Sequence, residues 1–563
     1  MRKQCTGDAK KRDDRRYDMK ERRLANKKTH LETGFDYVIG SLSVHSPYGN
    51  QKLRLQRAFF PGEEKELERE LDRLEQVIEF IDREPKKASA LMEELCQAKD
   101  ISNSIKRSEA ITLSVVEIFE IKAFALLCEE IRRLVGEKGI GDECFELISM
   151  EGILNVLDPK GDRINTFYIY DEFSEKLVAL RAQKKKLDAE IRKHQKVKKD
   201  IIKNEYGIAL TPKFDIVIPK SSEDAEKAKA IDLLEIVAED YSAITFSLKA
   251  DEDIYKLIER VERLNLEIEE EENNCCMHLS RRIWEHAGEL AENGERIGYL
   301  DLMLGKADFS IKNKLVRPKI MDEHILLMSG GRNLQVESIL KSRGKEYHPI
   351  SMELRDGVTC ITGANMGGKT ISLKLAGLVA VMTQYGYFVP CESAEVGLSN
   401  YIGILIGDSQ SVERGLSSFG SEMEELKDTL AAAKARSLIL IDEIASGTNP
   451  VEGQALTESL MDYLMDKPYI SLVTTHYDVR DEGVVNMQVR GLADADFRRL
   501  NSELSGANRN ERIDIIGKYM DYRLERVDVG GGVPKDALNI ASMLGLPKEI
   551  IEGAREHIEN SKN

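Results

Sequence analysis

The sequence predicts a multidomain chain: a helical core carrying a long coiled-coil arm, followed by an α/β domain with a largely parallel sheet. Three patterns carry that reading. Apolar residues recur at spacings of three and four through residues 36–160, the period of helices with one buried face. Two heptad-spaced segments enclose a pair of short alternating runs between 170 and 270, as in an antiparallel coiled coil with strands at its tip. Beyond residue 340, short apolar runs alternate with helical stretches and Gly-rich turns, which is how a sheet covered by helices reads. The 563 residues suit three or four domains at roughly 100–200 residues each. The expected division is a basic N-terminal segment over 1–40, a helical core over 41–340 with its arm at 170–270, and the α/β domain over 341–563 with a helical tail.

In order along the chain, the first 28 residues hold twelve Lys and Arg. Such a block reads as a solvated, disordered tail, or as an arm that touches phosphates. The second reading stays open because the whole chain carries −17, and an acidic protein meets nucleic acid only through local basic surface. Residues 63–81 place Leu67, Leu71, Leu74, Val77 and Ile81 on one stripe. Residues 109–135 repeat the pattern with more apolar content, as a central core helix does. In the arm, Phe173, Leu177, Leu180, Lys184, Leu187 and Ile191 step by 4, 3, 4, 3 and 4, and Ile254, Leu257, Val261, Leu264 and Ile268 by 3, 4, 3 and 4. They read as a paired coiled coil or as two helices of one bundle, and the alternating runs 214–218 and 243–248 between them favour the arm. Charged residues make up 32% of the chain, above the ~25% of an average protein, as long exposed helices require.

The eight cysteines contain no C-x-x-C pair, which argues against zinc. Adjacent Cys275 and Cys276 read as buried or half-buried helix residues. A charged start and the lack of a stretch of about 20 apolar residues predict a cytoplasmic protein with no membrane partner.

The run 358–362 leads into Gly363, Ala364, Asn365, Met366, Gly367, Gly368, Lys369 and Thr370, followed by a helical pattern. This is G-x-x-x-x-G-K-T in its strand–loop–helix setting, the motif of a P-loop NTPase domain. Glycines let the backbone curl so that successive N–H groups point at phosphate oxygens, and the loop ends at a helix N-terminus, which favours anions. Lys369 is expected to reach the β- and γ-phosphates of ATP, and the Thr370 hydroxyl to ligate Mg²⁺. Downstream, the apolar run 438–441 ends in Asp442 and Glu443. Ligand sites lie at the carboxyl ends of such strands, so Asp442 is placed to hold the metal and Glu443 to orient or deprotonate the attacking water. A third run, 469–475, ends at His476, placed for a γ-phosphate contact.

These residues carry a resemblance. Gly363-Ala-Asn-Met-Gly-Gly-Lys-Thr370 is similar to the phosphate loop of the MutS family of mismatch-repair ATPases, with alanine where the family usually has proline. Phe388-Val-Pro-Cys-Glu-Ser-Ala-Glu395 and Ile406-Gly-Asp-Ser-Gln-Ser-Val-Glu-Arg-Gly-Leu-Ser-Ser-Phe419 resemble the family's next segments, the second being its signature loop. Asp442-Glu-Ile-Ala-Ser-Gly-Thr-Asn-Pro-Val-Glu-Gly453 and Thr474-Thr-His-Tyr477 complete the set, and Leu544–Arg555 resembles its dimerisation tail. Together they cover residues 345–560. Upstream, Ser46-Pro-Tyr-Gly49 resembles the start of the family's helical core, and Val316-Arg-Pro318 the entry to the ATPase domain. Gly331-Arg-Asn-Leu334 departs from the family's Gly-Arg-His-Pro, and Phe173-Ser-Glu175 matches its mismatch-reading motif in letters only, on an expected arm helix. The signature loop resembles that of the second bacterial MutS paralogue. Neither an N-terminal mismatch-reading domain nor a C-terminal nuclease domain is expected.

The resemblance implies an ABC-like ATPase domain that works as a homodimer, with Ser417 reaching the partner's γ-phosphate and the arm serving as lever and clamp. ATP and Mg²⁺ are the implied cofactors and DNA the implied partner, as mismatched, branched or junction DNA. A protein client is the alternative partner, since short MutS-like proteins also resemble reactivation factors of cobalamin-dependent lysine or ornithine aminomutases. A head-and-coil ATPase of the chromosome-organising type is a third reading.

Overall fold

In the computed structural model the described residues are 23–136, 139–363, 368–407, 418–477, 483–491, 497–504, 515, 519, 521–527 and 536–560. The helical core is built from amphipathic helices whose apolar stripes meet. Helix Glu64–Arg83 buries Leu67, Leu71, Leu74 and Val77 completely. Phe80 is buried as well, and Ile81 packs half-buried against the same core. Helix Val115–Val135 starts at Ser114, whose hydroxyl and the Glu117 carboxylate cap each other's backbone N–H. That reciprocal cap sets the start six residues later than the apolar pattern alone suggests. Helix Ala287–Asn313 runs through the core, with Leu290, Ile297, Leu300, Met303 and Leu304 fully buried.

Two long helices, Glu175–Tyr206 and Glu252–Glu285, leave this core side by side. They run antiparallel: Arg181 pairs with Glu272 near one end and Lys198 with Asp251 near the other. Leu180, Leu187 and Leu264 are buried between them. At 1.5 Å per residue the first helix is about 48 Å long. It opens at Glu175 with Ser174 as its cap, so Phe173 sits in the short turn before it. The far end is a small sheet with its own core around Ile218, Ile244 and Phe246. Strands Asp215–Pro219 and Ala243–Leu248 pair antiparallel, and a third, Leu234–Glu239, takes the other side of Ala243–Leu248.

The α/β half holds a six-stranded sheet. Its order is Asp521–Arg526, Val485–Gly491, Gly357–Thr362, Tyr469–Thr474, Ser437–Asp442 and Tyr401–Ile406, with every neighbouring pair parallel except the first. The central strands are buried along their length, Ser437–Asp442 and Tyr469–Thr474 at every position, as strands covered on both faces are. A four-stranded sheet from Lys319–Met321, Ser393–Gly397, Ile325–Gly331 and Ile350–Arg355 flanks it. The α/β half therefore starts near residue 319, ahead of the expected 341.

The basic segment expected over 1–40 divides. Residues 1–22 lie outside the described residues, whereas Leu24, Phe35 and Val38 are buried in the same core as Leu373, Ala376 and Ile402. Helix Lys27–Thr33 lies so close to helix Lys369–Gln384 that a Cβ on Gly377 would meet Thr33 Cγ2 at 2.5 Å. Lys28 pairs with Glu425 and Glu32 with Lys374. Three apolar residues among the cations hold this part of the segment on the α/β half.

Candidate functional site

Strand register brings the site together. Asp442 pairs with Thr474, and Thr474 with Ile361, so three parallel strands end level. The next residues of each chain segment emerge at one edge: Gly363, Glu443 and the turn to His476. Gly363 and Gly368 have φ of +142° and +81°, which only glycine adopts without strain. Gly368 is also crowded, because a Cβ there would lie 3.2 Å from Tyr522. Helix Lys369–Gln384 follows with no side chain capping its first N–H groups, leaving donors and the positive end of the dipole for an anion.

Lys369 is 4% exposed. Its ammonium donates to Gly363 O at 2.8 Å and lies 3.2 Å from Glu443 Oε1 and 3.1 Å from His476 Nδ1. Burial pushes its pKa down, and Glu443 opposes that shift. Glu443 in turn accepts from His476 Nε2 at 2.6 Å. The His476 contact, followed by the Lys369 charge, holds the Glu443 carboxyl below the usual range against the effect of burial. Thr370 Oγ1 donates to Asp442 Oδ2 at 2.7 Å, and the other carboxylate oxygen takes the Thr474 hydroxyl.

Glu443 and Ala445 have φ of +50° and +60°, a left-handed conformation that costs a non-glycine residue of order 1 kcal/mol each. The surroundings hold it: Glu443 N donates to Thr474 O at 3.0 Å and to Thr474 Oγ1 at 3.1 Å. That backbone twist turns the Glu443 side chain toward Lys369 instead of along the strand. Thr474 thus positions both acids, a role not read from the sequence; its only signal is a polar residue at the end of a buried strand. Tyr522 was missed as well. It stacks on His348 with ring centres 5.3 Å apart, beside Gly368.

The structure therefore brings Gly363, Gly368, Lys369, Thr370, Asp442, Glu443 and His476 to one place. Ala364, Asn365, Met366, Gly367 and Ser417 lie outside the described residues. A buried ammonium beside an uncapped helix start fits a polyphosphate, and a hydroxyl bonded to a carboxylate offers the hard oxygen donors that Mg²⁺ takes.

Residues 359–562 match the family model described as MutS domain V. The chain is 28% identical over 488 residues to a protein of Halothermothrix orenii named Endonuclease MutS2, covering 81% of this chain and 56% of that one. It is 35% identical over 287 residues to the Endonuclease MutS2 of Thermomicrobium roseum, covering 49% and 34%. It is 30% identical over 314 residues to the DNA mismatch repair protein MutS of Salinibacter ruber, covering 55% and 33%. The chain thus spans about half, or less, of the length of these curated relatives.

Proposed function

The chain belongs to the MutS family through its C-terminal ATPase domain, and from that premise we propose that it is a Mg²⁺-dependent ATP hydrolase whose cycle opens and closes a homodimeric clamp on DNA. One observation carries the hydrolase reading. Two segments 72 residues apart meet at one point through the Thr370–Asp442 hydrogen bond, with Lys369 and Glu443 in contact beside it.

In the proposed reaction Lys369 neutralises the β- and γ-phosphates, with N–H groups of the phosphate loop and helix start around them. Thr370 and Asp442 would hold Mg²⁺, which would supply stabilisation of charge on the phosphate oxygens. Glu443 orients a water and takes its proton as the water oxygen bonds to the γ-phosphorus and the bond to the bridging oxygen breaks. Because His476 and Lys369 keep Glu443 ionised, it is ready to accept that proton at neutral pH. His476 steadies Glu443 and lies within reach of the same phosphate. Ser417, on the family resemblance alone, reaches the partner's γ-phosphate in the dimer. DNA as the object is supported by the printed name of the Salinibacter ruber relative, and the long paired helices suit a lever.

Glu443→Gln keeps the shape and removes the base. ATP affinity should stay within a few-fold of wild type while turnover falls about 10²–10⁴-fold, read by steady-state phosphate release and nucleotide titration. Undiminished turnover would remove Glu443 from the mechanism. Duplex affinity that is the same with and without ATP would sink the clamp.

A further inference from the structure

We propose that duplex DNA is held by the stem of the arm, along a stripe of cations on the outer face of helix Glu175–Tyr206, and not by the arm's tip. This rests on the DNA reading above and adds where the phosphates lie. Helix Glu175–Tyr206 carries eleven Lys and Arg against five Asp and Glu, while its partner Glu252–Glu285 carries five against ten. The two signs meet beside the seam as Lys176–Glu271, Arg181–Glu272 and Lys198–Asp251. Lys185, Lys186, Arg192, Lys193, Lys196 and Lys203 take no part in this. All six are exposed, and none forms an ion pair among the described residues.

Their placement is regular. At 100° per residue, all six fall within about 60° of the line opposite Leu180, the side facing away from the partner helix. From Lys185 to Lys203 the stripe runs about 27 Å, close to one turn of B-form duplex at ~34 Å. Solubility alone does not explain it. A solvated face needs charge, but of mixed sign, and between Lys185 and Lys203 this face holds six cations and one exposed acid, Asp200. Like charges one helical turn apart, such as Arg192 and Lys196, destabilise a helix. Asp188, Glu190 and Asp200 each lie one turn from two of the six cations and offset part of that cost, which leaves three acids for six cations. Phosphates would supply the rest.

The tip has the opposite character. Residues 207–251 hold five Lys against nine Asp and Glu. Val217, Ile236, Val237 and Tyr241 stand there largely exposed, Tyr241 completely. In a chain of net charge −17, the stem stripe is an exception in sign, and the tip repels a duplex backbone.

The test is fluorescence anisotropy of a labelled homoduplex of about 30 base pairs, roughly three helical turns, titrated with the full chain over a salt series. The combined variant Lys185→Ala, Arg192→Ala, Lys193→Ala and Lys196→Ala should lose at least ~100-fold in affinity at low salt. Its slope of log affinity on log salt should fall by about 3–4, since each phosphate contact contributes about 0.9. Alanine favours the helix, and circular dichroism checks that it persists. A second variant, Lys185→Arg, Lys193→Arg and Lys196→Arg, keeps the charge and should keep the slope. The tip variant Lys213→Ala, Lys220→Ala and Lys227→Ala should bind as wild type does. A wild-type slope in the alanine stem variant, or a lost slope in the tip variant, overturns the stem site and leaves DNA binding standing. No binding by the wild-type chain at low salt, with or without ATP, overturns both.

Discussion

The end of the parallel sheet and the stem of the arm both rely on lysine, in opposite ways. Lys369 is 4% exposed and touches a carbonyl, a carboxylate and an imidazole. Lys185, Lys193 and Lys196 are exposed and pair with nothing among the described residues. At the sheet end the charge is desolvated, so each neighbour acts strongly and the position of every atom matters. On the stem the charges are hydrated, so each is worth little alone and only their number and alignment count. One site should therefore fail on a single substitution, and the other should weaken by degrees.

The largest effect expected is at Lys369. Lys369→Ala should reduce ATP affinity more than about 100-fold, because a buried ammonium facing several phosphate oxygens contributes well above the ~1.4 kcal/mol of a tenfold change. Nucleotide titration and the loss of ATP-dependent thermal stabilisation read it. A Lys369→Ala chain that still binds ATP tightly would erase the contrast with the stem, where no single lysine should matter so much.

Lys306 shows whether burial alone makes a lysine decisive. It is 2% exposed, pushed down in pKa by that burial, and lies far from the site in sequence and role. Its ammonium donates to Tyr385 O and Gly386 O at 3.0 and 3.2 Å, sits over the Tyr387 ring at 4.2 Å, and faces Glu70 at 3.8 Å. Those two carbonyls follow helix Lys369–Gln384 directly, a place that favours a cation. Lys306→Met should cost about 3 kcal/mol of stability by stranding buried partners, read by denaturant unfolding. Its ATP affinity should stay within a few-fold of wild type. If binding falls as far as in Lys369→Ala, the core and the site are coupled more tightly than their separate contacts suggest.

The strand and helix on either side of the expected phosphate loop, and the acids at the strand end, were legible because their spacing is local. A loop between strand and helix, and a carboxylate pair ending an apolar run, are written in consecutive residues. The long arm helices were legible because heptads repeat. What escaped depends on distance. Thr474 reaches Asp442 across 32 residues, and no window of sequence contains both. The burial of Leu24, Phe35 and Val38 was not read, because their partners Leu373 and Ile402 come over 300 residues later. Strand Leu234–Glu239 was missed since only Leu234 in it is buried, and an edge strand without alternation gives no period-2 signal. The stem cations are in plain view, but their alignment emerges only once the partner helix fixes which face of the helix is outward.

The smallest effect expected is in the seam of the arm. Leu180, Leu187 and Leu264 form the buried cluster between the two stem helices, a thin contact for helices of 32 and 34 residues. Leu264→Ala should cost about 2 kcal/mol, the low end for a buried leucine, because a two-helix stalk can close over part of the cavity. The loss should stay local. Hydrogen exchange should quicken in Glu175–Tyr206 and Glu252–Glu285 while exchange in the parallel sheet holds, since the stem opens as its own cooperative unit. Basal ATP turnover without DNA should match wild type, because no seam residue touches Lys369, Asp442 or Glu443. If turnover instead drops along with stem protection, the arm constrains the sheet end even without DNA, and the two regions are one device rather than two.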